Sequence, residues 1–429
     1  MIPFPQNTRH RYALAGVALF APVAAFYWLD AVRKRKASRG AVVTTAAASA
    51  CAALAAPERT DAVLAAGVTA AATPLAGGAL ALLTERMERA GLLDDAAPDG
   101  RDAQTLLWIG AGASAAACLL MAYGARDLKV IYTPHSGRPG DYRWISLNPS
   151  TTGRLLAWAG YSAHQLGLWA CIYIAQRQRL AYGAALRPLN WMALGVNAGG
   201  VLLHYLHTKR YYDGLAADVP EGSALGSVAF MLMLTLVLET PRRGLAFGTR
   251  RVNLPKELIQ LVRRYHGYIF SWAVVYTFWY HPMEPRSGHV LGFFHTMLLL
   301  IQASLPFTRA HLNKRWTAAL EMMVLPHSVT TAIMNRNRLA PMFAFGFTGM
   351  ALIAQMHGLG LSQRVKLGAY LAYGAALLGY YGRRGELRQA INVLRVPALE
   401  YGIVGVLAAI TLLWRVAARR PNPVVIREG

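Results

Sequence analysis

Apolar runs long enough to cross a bilayer recur along the chain, separated by short basic or turn-rich breaks. A spanning helix needs about 20 mostly apolar residues. By that ruler the pattern predicts helices over 12–29, 41–57, 62–83, 105–124, 154–175, 187–206, 223–240, 267–281, 288–307, 315–334, 341–361, 367–382 and 397–416. The 41–57 run is short and Ala-rich. The 267–281 run is also short, dense in aromatic residues, and stops at His281-Pro282. The expected fold is all-α: a polytopic integral membrane helical bundle of about 12 or 13 transmembrane helices.

Two breaks read as extramembrane. Residues 84–104 carry Asp94, Asp95, Asp99 and Asp102, and residues 125–153 carry Pro134, Gly137, Pro139, Gly140, Asn148 and Pro149, the residue types of turns and loops. The chain changes character across the second break. Residues 1–125 form an Ala-rich group of N-terminal transmembrane helices, 126–153 a turn-rich extramembrane loop, and 154–429 a core rich in His and aromatic residues. A site is expected in that third region.

Composition supports the membrane reading. Of 429 residues, 55% are apolar and only 15% charged, against about 25% charged in an average soluble domain. Lys and Arg total 44 and Asp and Glu 21, a formal net charge of +23. The basic residues fall in short runs between apolar segments, such as Arg33-Lys34-Arg35-Lys36, Arg242-Arg243 and Arg263-Arg264. That is the pattern of cytoplasmic loops rather than of a nucleic-acid-binding domain. The larger basic cluster follows the first apolar run instead of preceding it. This predicts a retained helix with its N-terminus outside, in a cell (inner) membrane. Loops near residues 178, 250 and 312 are then cytoplasmic, and those near 215 and 285 external. Cys51, Cys118 and Cys171 each lie in an apolar run without a CxxC pair, so they offer no disulfide framework or thiolate metal site.

Phosphate-loop, dinucleotide, HExxH, GxSxG and Asp-rich prenyl-transfer motifs are absent from the sequence. Asn313 and Trp316 ahead of His357 are similar to the Asn/His arrangement of membrane-bound O-acyltransferases, but the flanking residues differ and no role follows. Candidate chemistry rests on polar residues inside the apolar runs, which cost about 2.5–3.5 kcal/mol each and mark sites. Counting depth at about 1.5 Å per residue places His295 level with His327 in an outer layer, and Glu321 level with His357 in an inner one. These four are the candidate catalytic residues. A second group gathers at the outer loops: His204 and His207, three apart on one helical face, then Asp213 and Asp218, then His281 and His289. Imidazole and carboxylate suit a divalent metal, so these six are the candidate metal ligands. His266 and His281 stand fifteen residues apart, about 22 Å along one helix, a spacing that haem b would use if a second such helix existed. At Glu239-Thr240-Pro241-Arg242-Arg243 the favoured reading is a salt-bridged helix end.

The function these features predict is a membrane-embedded enzyme acting on a lipid or isoprenoid-like substrate through His and carboxylate groups. The alternatives are a secondary transporter and a haem-b-binding electron-transfer subunit. The expected partners are the lipid bilayer and that lipid or isoprenoid-like substrate, and nucleic acid is not expected.

Overall fold

The computed structural model describes residues 99–126, 128, 142–178, 180–249, 254–336 and 338–418, with a few isolated positions before residue 90. The predicted helices at 12–29 and 62–83, and nearly all of 41–57, lie outside the described residues. Within them the protein is mostly helical: α1 Ala103–Gly124, α2 Thr151–Arg177, α3 Pro188–Tyr211, α4 Glu221–Arg243, α5 Lys256–Tyr280, α6 Ser287–Ala303, α7 Lys314–Met322, α8 Val324–Met334, α9 Ala340–Ile353, α10 Gln363–Arg383 and α11 Arg395–Ala418. The exception to all-α is a small antiparallel ladder of β1 Asp99–Asp102 with β2 Ala185–Leu186.

Local chemistry sets the helix starts. Asp102 accepts from the Gln104 N–H, Ser150 from the Gly153 N–H and Ser362 from the Val365 N–H, each satisfying an otherwise orphaned donor. Pro188 opens α3, where its missing N–H costs nothing. Two predicted helices differ in detail. The 315–334 run is divided at Met323 into α7 and α8. The 267–281 run starts eleven residues earlier, because Lys256 to His266 form a polar first half that a search for apolar runs passes over. Among the described residues three helices are long and apolar enough to cross a membrane: α1, α4 and the stretch Leu387–Val416.

Two units divide the chain, one comprising 1–228 with 267–313 and the other 229–266 with 314–429. In the first unit α2 packs on α3 and α1 on α6. Close approach needs glycine: a β-carbon at Gly200 would fall inside the His164 ring, and one at Gly160 inside the Trp279 ring. The buried face of α3 carries Asn190, Asn197, His204, His207 and Thr208, while Trp191, Leu202, Leu203 and Leu206 are exposed. On α1, Trp108 is 77% exposed and Leu119 and Leu120 are each 69% exposed. Polar residues inside and large apolar ones outside reverse the order of a soluble amphipathic helix.

In the second unit α9 packs against α8, α10 and α11. Gly244 caps α4 with φ +78°, its N–H bonding the Thr240 carbonyl, the left-handed stop that glycine takes without strain. The Phe247 N–H then bonds the Ile353 carbonyl, and Tyr401 Oη donates to the Leu245 carbonyl.

Candidate functional site

In the first unit the loop between α5 and α6, the segment before α2 and the end of α3 converge on one buried chain of polar contacts. Tyr142 Oη lies 2.9 Å from His281 Nδ1 and 2.6 Å from His289 Nε2. His289 Nδ1 lies 2.9 Å from Glu284 Oε1. Glu284 Oε2 accepts from Tyr212 Oη at 2.8 Å and from Arg286. One proton assignment fits both bonds at the phenol: His281 Nδ1–H donates to Tyr142 and the Tyr142 O–H to His289 Nε2, while His289 Nδ1 and Glu284 Oε1 meet as a close polar contact whose geometry is not that of a hydrogen bond. Tyr142, His289 and Glu284 are all buried. Rings wall the chain in: Trp144 meets His289 edge-on and stacks under the Arg286 guanidinium, while Tyr280 packs on Tyr142 and His281.

Glu284 is the ionised end of this chain. Burial raises the Glu284 carboxyl, but the His289 contact and charge, followed by those of Arg286, outweigh it and hold the group at about 2. Burial, and then the Glu284 charge, push the Tyr142 phenol well above its ordinary value, so Tyr142 remains a donor. A carboxylate ordering an imidazole that in turn takes a hydroxyl proton is the arrangement by which enzymes activate a nucleophile or move a proton.

Backbone strain accompanies the chain. Tyr212, next after α3, has φ 66° and ψ −61°, and the Asp213 N–H bonds the Tyr211 carbonyl across it. This is the rare, strained form of the γ-turn, held by a bulky aromatic residue, and it aims Tyr212 Oη at Glu284. The next residue, Asp213, is buried, with Oδ1 taking the Ser146 N–H at 2.7 Å and Oδ2 taking no partner. Burial raises its carboxyl to about 6 despite that bond. On the other side of Glu284 a cavity of about 300 Å³ is lined by Ala125, Arg126, Leu128, Glu284, Pro285 and Arg286.

The six candidate metal ligands do not assemble as one ligand set. Among the described residues no group of three or more His, Cys, Asp or Glu is disposed to hold a metal ion. Their donor atoms are directed elsewhere. His204 Nε2 donates to the His281 carbonyl, and His207 Nε2 to the Gly153 carbonyl. Asp218 takes Arg154 and Trp158 Nε1, Asp213 takes Ser146, and His281 and His289 flank Tyr142. His266 Nδ1 pairs with the Arg263 carbonyl of its own helix, and His281 turns to Tyr142, so the haem spacing finds no support in their contacts.

The four candidate catalytic residues fall in both units, His295 in the first and Glu321, His327 and His357 in the second. His295 is buried on α6. Glu321 receives Arg243 at 2.8 and 3.0 Å through both oxygens, and Gln355 at 3.2 Å. His357, two residues beyond Gln355, pairs instead with Tyr370 Oη at 3.0 Å. Arg242 bonds Glu239 and the Gly358 carbonyl, so α4 ends in paired arginines with matched acceptors. Glu400 on α11 is buried and interacts electrostatically with Glu321 and Arg243.

Tyr142, Tyr212, Glu284 and Arg286 are the site members that the sequence did not single out. Their signal was present: a Tyr-Arg-Trp cluster at 142–144 inside a turn-rich loop, and a Glu and an Arg between two histidines at 281–289. What defines the molecule is a helical protein, with helices long and apolar enough to cross a membrane, that carries a buried carboxylate–imidazole–phenol chain at the α5–α6 loop. No protein-family model, curated protein or solved structure matches the chain.

Proposed function

We propose that this is a polytopic membrane-embedded enzyme acting on a lipid or isoprenoid-like substrate, with Tyr142, His289 and Glu284 as its acid–base centre and His281 as the second imidazole on the phenol. The observation that carries the reading is the buried chain of polar contacts His281–Tyr142–His289–Glu284, hydrogen-bonded at the phenol and in close contact at the carboxylate. Reversed helix polarity supports the membrane setting: α3 turns Asn190, Asn197 and His204 inward and Leu202, Leu203 and Leu206 outward. Exposed apolar surface of that kind marks a membrane or partner face. Basic loops support an N-terminus outside and the α5–α6 loop on the external side. In this mechanism His289, held beside Glu284, is the general base that takes a proton from substrate, and Tyr142, which keeps its proton at rest, is the general acid that delivers one, with His281 Nδ1–H steadying the phenolate until it is reprotonated.

The test is mass spectrometry of a total lipid extract incubated with the protein in nanodiscs. Wild type should deplete one lipid class and generate a product, while Tyr142→Phe and His289→Ala, still inserted and monodisperse, should not. Equal turnover by Tyr142→Phe, or no turnover by wild type, would overturn the reading.

A secondary transporter is the second reading, favoured by the buried Arg243–Glu321 pair with Glu400 beside it. Intramembrane ionisable clusters of this type line ion and proton paths. Proton-coupled uptake into vesicles that fails with Glu321→Gln, without lipid turnover, would select it.

A further inference from the structure

The cavity beside Glu284 identifies a substrate class. Two of its lining residues are arginines. Arg286 is fixed by Glu284 and by the Trp144 ring, its guanidinium 4.1 Å from the ring centroid. Arg126 lies 3.8 Å over the Tyr123 ring, and no carboxylate among the described residues pairs with it. Glu284, the one acid among the described lining residues, already holds Tyr212, Arg286 and His289. Among the described residues the cavity is thus lined by one guanidinium that has a carboxylate partner and one that has none. At about 300 Å³ it stands at the small end of ligand pockets, the size of a headgroup rather than of a whole lipid. It opens where α1 ends, and the last turns of α1 expose Leu119, Leu120 and Tyr123, at 69%, 69% and 63%. An apolar chain lying along that helix would bring its polar end to Arg126.

We propose that this cavity binds the phosphate of a phosphate-bearing lipid, the oxyanion seated between Arg126 and Arg286 and the hydrocarbon lying along the exposed face of α1. The inference rests on the membrane-enzyme reading and names the substrate of the same site, with the headgroup placed against Glu284 and so next to the Tyr142 relay. Guanidinium is the side chain suited to phosphate oxygens, which it can engage through two parallel N–H groups. An arginine at a helix C-terminus also complements the helix dipole and can lie at the membrane surface with no ligand; the experiment separates these roles.

Binding is measured by titration calorimetry on the full-length protein in a neutral detergent. Four probes are used: dihexanoyl phosphatidic acid, dihexanoyl phosphatidylcholine, dihexanoyl glycerol and inorganic phosphate. Phosphatidic acid should bind tightest, phosphatidylcholine more weakly, and dihexanoyl glycerol not at all. Inorganic phosphate should compete at least tenfold more weakly than the lipid. Arg126→Gln should weaken phosphatidic acid by about fivefold or more, and Arg126→Lys should recover part of the loss. The melting temperature of Arg126→Gln should stay near that of wild type, because the side chain's one described contact is the Tyr123 ring. Equal binding of dihexanoyl glycerol, or an unchanged affinity in Arg126→Gln, overturns the site. Inorganic phosphate binding as tightly as the lipid overturns the lipid assignment in favour of a free anion. Tyr142→Phe should bind phosphatidic acid as wild type does. Failed binding with intact lipid turnover sinks this inference alone, whereas intact binding without turnover sinks the enzyme reading alone.

Discussion

Replacing Glu284 by Gln tests the site through its energetics, before any reaction is known. The carboxyl is 1% exposed and is held at about 2 against an ordinary 4.5. At about 1.4 kcal/mol per pH unit that difference corresponds to about 3 kcal/mol of native-state stabilisation. The sign follows from a depressed folded value. The stabilisation is complete above pH 4.5 and is lost as pH falls from 4.5 through 2. Glu284→Gln should therefore cost about 3 kcal/mol at pH 7, in the range found when one member of a buried pair is removed. For a cooperative unit of this size that is a fall of about 6–12 °C in melting temperature. The assay is intrinsic tryptophan fluorescence in detergent, with wild type and variant scanned at one rate, since membrane proteins often unfold irreversibly. The gap should be widest at pH 7, unchanged at pH 5.5 and clearly smaller at pH 3. A gap at pH 3 equal to that at pH 7, or none at pH 7, would refute the pairing of Glu284 with His289 and Arg286.

Asp213 should show the opposite signature. Its carboxyl is raised to about 6 from an ordinary 3.8, so native stability is greatest below pH 3.8 and declines as pH rises through 6; Asp213→Asn should melt higher than wild type at pH 7, by about 1–3 kcal/mol, with the advantage gone by pH 4. In the second unit, Arg243→Met and Glu321→Leu should each cost about 3–5 kcal/mol, while the double variant recovers much of the loss; a double-mutant cycle on melting that proves additive would deny the pair. Cysteines replacing Arg177 and Ser287 should be labelled by an impermeant maleimide from the cytoplasmic and external sides respectively, and labelling of both from one side would reject the orientation.

The helices were legible because an apolar run of fixed length is a local signal. From 105–124 onward each predicted run overlaps a helix or helix pair. Where the signal was mixed the reading failed: the first half of α5 alternates Lys256, Glu257, Arg263 and Arg264 with apolar residues, and its buried face is visible only once the helix has neighbours. Face sharing was also legible, since His204 and His207 do lie together on the buried side of α3. Partners were not. Tyr142 and His289 are 147 residues apart, and Arg243 and Glu321 are 78 apart. Depth counting brought Glu321 to the turn that holds Gln355 and His357, but depth carries no rotation about the helix axis, and the side chain that reaches Glu321 is Gln355.

The histidines of the first unit divide by how fully their nitrogens are used, and the division separates structure from chemistry. His164 has both engaged: Nε2 lies 2.9 Å from Asn197 Oδ1, and Nδ1 accepts from Trp279 Nε1 at 3.2 Å. Asn197 passes its own N–H groups to the Leu300 carbonyl and Ser304 Oγ. That network is closed, has no titrating carboxylate, and ties α2, α3 and α6 together, as buried polar residues do when every member is satisfied. Toward Tyr142 the pattern changes. His204 and His207 each spend one nitrogen on a carbonyl and leave a buried Nδ1 without a partner, and Asp213 does the same with Oδ2. Beside them Tyr212 holds a strained γ-turn. An unsatisfied buried polar atom costs about 1–3 kcal/mol, and so does a backbone held in a sparsely populated region. A fold optimised only for stability would spread or remove such costs. Unpartnered buried atoms occur away from the site as well, at Gln165, Thr331 and Asn335; beside the Glu284–His289–Tyr142 chain they fall on titratable groups, and groups that exchange protons or meet a ligand cannot all be satisfied in the resting state.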